Sequence, residues 1–278
     1  MPDLFAPKRR IERRYGRAIK KLFQAIIRAV RKPKTPQEII KNLKDYANDP
    51  VFLADVQGLA FQMVTALFAD GNRSWRKAAS KGTRGKEIYA ALKKELTGPV
   101  GNVYREAVRR NAYYISSLPL KLAERATEMA AKAYNEGRRA DDVADEIQAK
   151  LGNLSYSRAM LIARTEVAKA ATELTRARSE ELGLGWYIWR TSEDERVRDS
   201  HKKMEDVIIN WNDPPSPELL NRQPSEGYYH AGEIYNCRCY AEPIVDLDSV
   251  TWPHKVHQGG KITRMTRREF EKLGGVQT

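Results

Sequence analysis

Apolar positions in the first two thirds of the chain recur every three or four residues, the spacing that sets one face of an α-helix against a core. Over residues 11–30 they fall at Ile11, Tyr15, Ile19, Leu22, Phe23, Ile26, Ile27 and Val30, with a basic face opposite. KPKTP interrupts this helix. Thr35, Pro36 and Glu38 then supply an N-cap, a first-turn proline and an acid three residues on, which predicts a second helix ending near Asn48. Pro50 disfavours helical geometry at Asp49, and a third helix is predicted over 51–68, stopped by DGNRS. Residues 74–112 read as helix broken at LTGPVGN. A further helix is closed by Gly137 as its C-terminal cap, another spans 141–152, and the longest periodic segment covers 155–182.

After Gly185 the period changes from 3.6 to two. WYIWRT places Trp186 and Ile188 on one face of a strand and Tyr187 and Trp189 on the other. VII at 207–209 and RCYAEPIV at 238–245 predict two more strands, separated by a long, proline-rich irregular loop. The basic, glycine-punctuated end predicts an extended tail with one short helix. The fold class is α+β and mostly α. An N-terminal helical region with a basic arm (1–112) precedes a long helix packed on a small antiparallel sheet (113–246), and a basic C-terminal tail follows (247–278).

Composition narrows the class. With 278 residues, 41% hydrophobic and 31% charged, and a mean hydropathy of -0.64, the chain reads as a folded globular protein. No uninterrupted apolar run approaches the ~18 residues that cross a bilayer, so no membrane span is expected. The first residues run from apolar to basic, the reverse of a secretory signal, which predicts residence in a cytoplasm. A net charge of +13 predicts attraction to polyanions. Arg9, Arg10, Arg13, Arg14 and Arg17 near the start, and Arg264, Arg267 and Arg268 near the end, are the candidates for sequence-independent phosphate contact; the alternative is a solvated face.

Only two cysteines occur, Cys237 and Cys239, too few for a disulfide framework. On a strand, residues two apart share a face. With His201, and more remotely His230, they would supply the donors of a tetrahedral zinc site. A second reading makes the cysteines small packing residues and has His201 bond a carboxylate such as Asp194. A third, a cysteine nucleophile with His201 as base, needs a depressed thiol pKa. The packing reading is preferred, so no cofactor is expected, with zinc on Cys237, Cys239 and His201 as the alternative. No P-loop, H-E-x-x-H or paired carboxylate and lysine arrangement accompanies them.

The order of IARTEVAKAATELTRARSEELG, WYIWRTSEDERVRDSHKKMEDVII, a proline-rich loop and AGEIYNCRCYAEPI resembles the phage Mu F-like head morphogenesis family, the minor head proteins of tailed phages. Its parts are Arg164, Thr165 and Glu166; Trp189; Asp194, Arg196, Arg198 and His201; and Asn236, Cys237, Arg238 and Cys239, within roughly 117–246. The family usually carries glycine in a sharp turn shortly after the histidine. Here Glu205 and Asp206 stand there, and Asp206 is expected to take the left-handed turn. The resemblance implies a non-enzymatic virion protein inside the head near the portal, made in host cytoplasm during assembly. The implied partners are the portal protein, the major capsid or scaffolding protein, and packaged DNA held non-specifically; the implied roles lie in morphogenesis and in DNA packaging or ejection. Arg196, Arg198 and His201 would then pin the loop through acids such as Asp194 and Glu166. Two other classes stay open: a nuclease-like or toxin-like effector carried in the head, and a basic nucleic-acid-binding regulator.

Overall fold

The structure, a computed structural model, describes residues 4–31, 35–80, 84–153 and 155–274. Its contacts group into two compact units, 10–63 with 106–163, and 1–9 with 64–105 and 164–278. The chain is α+β and mostly α, as its two hydrophobic periods require.

The 10–63/106–163 unit is helical. Helix α1 (Arg9–Ala29) buries Ile11, Tyr15, Ile19, Phe23, Ile26 and Ile27, the stripe legible in the sequence. Helix α2 (Pro36–Ala47) starts with the expected capping box, Thr35 and Glu38 each bonding the other's backbone N–H. It packs on α6 (Leu118–Asn135) and α7 (Ala140–Asn153), which also pack on each other. The KPK of the predicted break lies outside the described residues. Gly137 caps α6 with a φ of 67°, a left-handed conformation suited to glycine. Buried Asn111 accepts from Tyr15 Oη at 3.0 Å and donates to the Ala107 carbonyl, so its amide is satisfied in the core.

Helix α3 (Pro50–Ala79) runs past the predicted stop at DGNRS. The turn-forming residues find partners on the helix instead: Arg73 bonds Asp70, Arg76 bonds Asn72, and Ser74 Oγ bonds the Asp70 carbonyl. Gly71 has a packing role, because a Cβ there would meet Arg178 Nη1 at 2.4 Å. Averaged over a window, α3 reaches a mean hydropathy of 1.6 and, by length and composition, suffices to cross a membrane. A core helix of a globular domain meets the same criterion.

The other unit comprises α4 (Gly85–Lys94), the start of α5 (Pro99–Ser116), α8 (Ser155–Glu181) from Arg164 onward and a five-stranded sheet. The strands are β1 (Trp186–Arg190), β2 (Val207–Asn210), β3 (Tyr240–Pro243), β4 (His254–Gln258) and β5 (Lys261–Met265), in the order β3-β1-β2-β4-β5. Two expectations are corrected here. The sheet is mixed rather than antiparallel, because β2 and β4 pair in parallel. The predicted extended tail folds as the β4–β5 hairpin with helix α11 (Arg267–Lys272). Its basic residues hid a strand whose His254, Val256 and His257 are buried.

The alternation along β1 holds. Tyr187 and Trp189 enter one apolar cluster with Met204, Val207, Trp211, Tyr229, Cys237 and Cys239. Trp186 and Ile188 enter another with Ile208, Val256 and Phe270. Phe270 meets Trp186 edge-on with centroids 4.9 Å apart, so α11 closes that face.

Where α8 meets α3 and the 3-10 turn at Glu95–Thr97, Arg178 and Glu95 form an ion pair of 2.7 Å, each side chain 3% exposed. Arg178 also donates to the Phe68 carbonyl, and Asn72 donates to Glu95. Replacing one member strands the other charge in the core. Glu95→Gln is expected to destabilise the protein by about 3–5 kcal/mol, against about 0.5 kcal/mol or less for removing the exposed Lys41–Asp45 pair. Urea unfolding of the two variants measures the contrast.

Candidate functional site

The loop after β1 carries the charged motif. Thr191 donates through its N–H and its hydroxyl to Glu205, each at 2.6 Å, while Arg190 pairs with Glu242 at 2.6 Å and Asp206 at 2.8 Å. Asp206 takes a φ of 61°, the left-handed turn expected of it. The pinned loop then enters helix α9 (Asp199–Met204), which buries Ser200, His201 and Met204.

The second half of the motif is positioned from α8. Asn236 has a φ of 55°; its N–H bonds Thr165 Oγ1 at 2.9 Å and its side-chain oxygen accepts from Arg164. The chain turns sharply there and delivers Cys237 and Cys239 to the sheet face below. The cysteines precede β3 rather than lie within it, so strand pairing does not orient them. The left-handed turn at Asn236 and a bond from Cys239 N–H to Cys237 Sγ do.

The two sulfurs converge on one nitrogen. His201 Nδ1 lies 3.5 Å from Cys237 Sγ and 3.4 Å from Cys239 Sγ, and all three side chains are buried. The other ring nitrogen faces Tyr229. Tyr229 Oη donates to Glu218 Oε1 at 2.6 Å and lies 3.0 Å from His201 Nε2. Burial, and then the adjoining carboxylate, raise the Tyr229 pKa far above the ordinary phenol, so its proton stays committed to Glu218. His201 therefore carries its proton on Nε2 and turns the Nδ1 lone pair to the thiols. Asp194, the carboxylate expected for this histidine, is not its partner. It accepts instead from Arg196 N–H and Arg238, and pairs with Arg9 at 3.7 Å.

The thiols are unequal. A hydrogen bond from Cys239 holds Cys237 well below the usual thiol range, despite burial. Sharing with Cys237, and burial, push Cys239 well above it. One negative charge on the pair is favoured and a second is opposed unless a cation is present. Chemically, the cluster can hold a soft divalent metal or present one thiolate.

The motif residues other than Thr165, Glu166 and Trp189 line a single cavity of about 90 Å³, onto which the cysteines and His201 face. Arg198 stacks on Tyr235 with its guanidinium 4.8 Å from the ring and donates to the Tyr235 carbonyl rather than to an acid. Glu166 is buried on α8. Trp189 is buried behind the cluster, its ring edge-on to His201 with centroids 5.5 Å apart. His230 stands apart from the donor cluster, between Tyr187 Oη at 3.1 Å and Arg176 at 3.4 Å. Among the phosphate candidates, Arg10, Arg13, Arg14 and Arg17 are exposed on α1, and Arg264 and Arg268 are exposed near the end. Arg267 is engaged by Asp248 and Glu271. Sequence reasoning missed Glu218, Tyr229 and Arg190. The first two sit in the proline-rich loop, Glu218 on its short helix α10 (Pro217–Leu220), where an acid and a tyrosine beside a histidine were the available signal.

A family model described as Phage Mu protein F like protein matches residues 124–242, the segment that contains every member of this cluster. An uncharacterized protein of Haemophilus influenzae is 33% identical over 136 residues, which cover 49% of this chain and 28% of that protein. The chain thus spans little more than a quarter of that relative's length. No solved structure matches this chain.

His230 supplies a pH signature. Burial, and then Arg176, lower its pKa from 6.5 to about 4. The unfolded state therefore binds the additional proton between those values, so stability is full above pH 6.5 and falls as pH drops toward 4. The loss from this group is expected to reach about 3 kcal/mol. Urea unfolding over pH 4–7 should show that slope, and His230→Gln should flatten it.

Proposed function

Because the chain is a phage Mu F-like protein over residues 124–242, we propose that it is a minor head protein of a tailed bacteriophage, acting in head morphogenesis. It resides inside the head, associated with the portal, and acts in DNA packaging or ejection after synthesis in the host cytoplasm. The observation that carries this reading is the family match over the segment that holds the cavity-lining residues and strands β1 to β3. The role requires no reaction. Interaction with the portal protein, and with the major capsid or scaffolding protein, belongs to the same reading.

The charge distribution supports contact with packaged DNA. Arg10, Arg13, Arg14 and Arg17 stand at i, i+3, i+4 and i+7 on the exposed face of α1, so their guanidinium groups form one stripe. Such a stripe neutralises phosphates without reading bases, and its affinity falls with salt.

Quantitative mass spectrometry of purified, DNA-filled particles tests the location. This chain is expected at a low, reproducible ratio to portal; absence from particles while the chain is abundant in infected cells would overturn the virion reading. The DNA contact has its own test. Replacing the four arginines with glutamine should reduce the slope of log affinity against log salt on duplex DNA by about 3 to 4, with equal effect on unrelated sequences. An unchanged slope would remove α1 as the contact.

A further inference from the structure

We propose that His201 Nδ1, Cys237 Sγ and Cys239 Sγ are three ligands of a tetrahedral zinc ion whose fourth position, held by water, faces the cavity beside Asp194 and Arg238. Three independent features of the geometry lead there.

The first is spacing. Zinc bonds sulfur at about 2.3 Å and nitrogen at about 2.0–2.1 Å, which puts neighbouring nitrogen and sulfur ligands about 3.5 Å apart on a tetrahedron. The observed separations are 3.5 and 3.4 Å, and the three donor atoms lie within 4.8 Å of one another. A single lone pair satisfies one thiol proton. Two sulfurs at equal distance from it are explained by an ion at the centroid that bonds all three.

The second is the orientation of the histidine. A ligating imidazole ordinarily gives its other N–H to an oxygen that fixes tautomer and ring plane. Here that N–H meets Tyr229 Oη, whose own proton goes to Glu218, a carboxylate 5% exposed. Ser200 Oγ also donates to Glu218 at 3.3 Å. The relay consumes every proton on that side of the ring and leaves Nδ1 as an acceptor aimed into the cluster.

The third is Trp189. Its indole N–H is fully buried and meets no oxygen or nitrogen acceptor. The side chain belongs to the same buried cluster as Cys237 and Cys239, with its ring edge-on to His201. A thiolate bound to zinc retains lone pairs that accept such a donor, so the ion accounts for a buried group that is otherwise poorly satisfied.

The donor set selects the metal. Two thiolates and one imidazole suit zinc, whereas magnesium and calcium take oxygen ligands. With three protein ligands one position remains, and the cavity of about 90 Å³ has room for water there. Loading the ion makes both sulfurs thiolates and ties α9 to the segment after Asn236, so binding is coupled to the folding of this unit.

The full chain, purified under reducing conditions and loaded with zinc, tests the site independently of any role in a phage head. About one zinc per chain should survive desalting in the wild type, and less than a tenth of that in Cys237→Ser/Cys239→Ser. Cobalt in place of zinc should give a thiolate charge-transfer band in the near ultraviolet and visible bands of tetrahedral intensity, and each single serine variant should lose about half the charge-transfer band. Because the serine variants can lose their fold together with the ion, the wild type decides. Chelation should lower its melting temperature by several degrees, reversibly on adding zinc back. The proposal is overturned by a folded wild type that takes up neither metal, by zinc retained in the double variant, or by an intact mass showing Cys237 joined to Cys239.

Discussion

Burial of β1 on both of its faces organises the sheet-bearing unit. Four large side chains, Trp186, Tyr187, Ile188 and Trp189, leave water alternately to either side, each contributing on the order of 2 kcal/mol. A strand buried on both faces cannot slip by one residue without exchanging its two cores, so register is set where β1 meets β2 and β3. Everything functional hangs from that register. The loop that leaves β1 carries Asp194 and leads into His201, and the chain that enters β3 carries Cys237 and Cys239.

A fixed sheet does not by itself bring polar groups together in an apolar cluster. They remain there because each side of the site is closed by a partner. Glu218 takes the Tyr229 proton, Asn236 is held in its left-handed turn by Thr165 and Arg164, and Glu205 holds both polar groups of Thr191. In a low dielectric such bonds are individually strengthened and mutually dependent, since losing one leaves a buried partner unsatisfied. The cysteines are thus both packing residues of the cluster and donors facing the cavity. Packing and ligation are compatible descriptions of the same two side chains.

The helical half of the fold was legible because its signals are local. The stripe on α1, the capping box at Thr35 and the cap at Gly137 depend on neighbours within a few residues. So was the alternation along β1, and the residues of the resemblance other than Thr165, Glu166 and Trp189 come together on one cavity. Long-range compensation was not legible. Gly71 looks like a helix stop, yet it admits an arginine from 107 residues away in sequence. His254 and His257 look like members of a polar tail, and are buried because β4 adds to β2 in parallel, a pairing with no local turn to announce it. Tyr229 and Glu218 are invisible as partners of His201 for the same reason.

Asp206 joins these scales. The resemblance leads one to expect glycine in the sharp turn after the histidine, where a left-handed backbone costs glycine nothing. Aspartate pays a modest steric penalty at a φ of 61° but brings a carboxylate to the junction of three strands. That carboxylate bonds Arg190 of β1 at 2.8 Å and lies 3.5 Å from His254 Nε2 of β4, while Arg190 reaches Glu242 of β3. An ion pair as exposed as that with Arg190 contributes about 1 kcal/mol or less, of the same order as the turn's cost. Aspartate thus exchanges a backbone cost for an ion pair of similar size, and it falls where the hairpin formed by the C-terminal segment joins the sheet that carries the site.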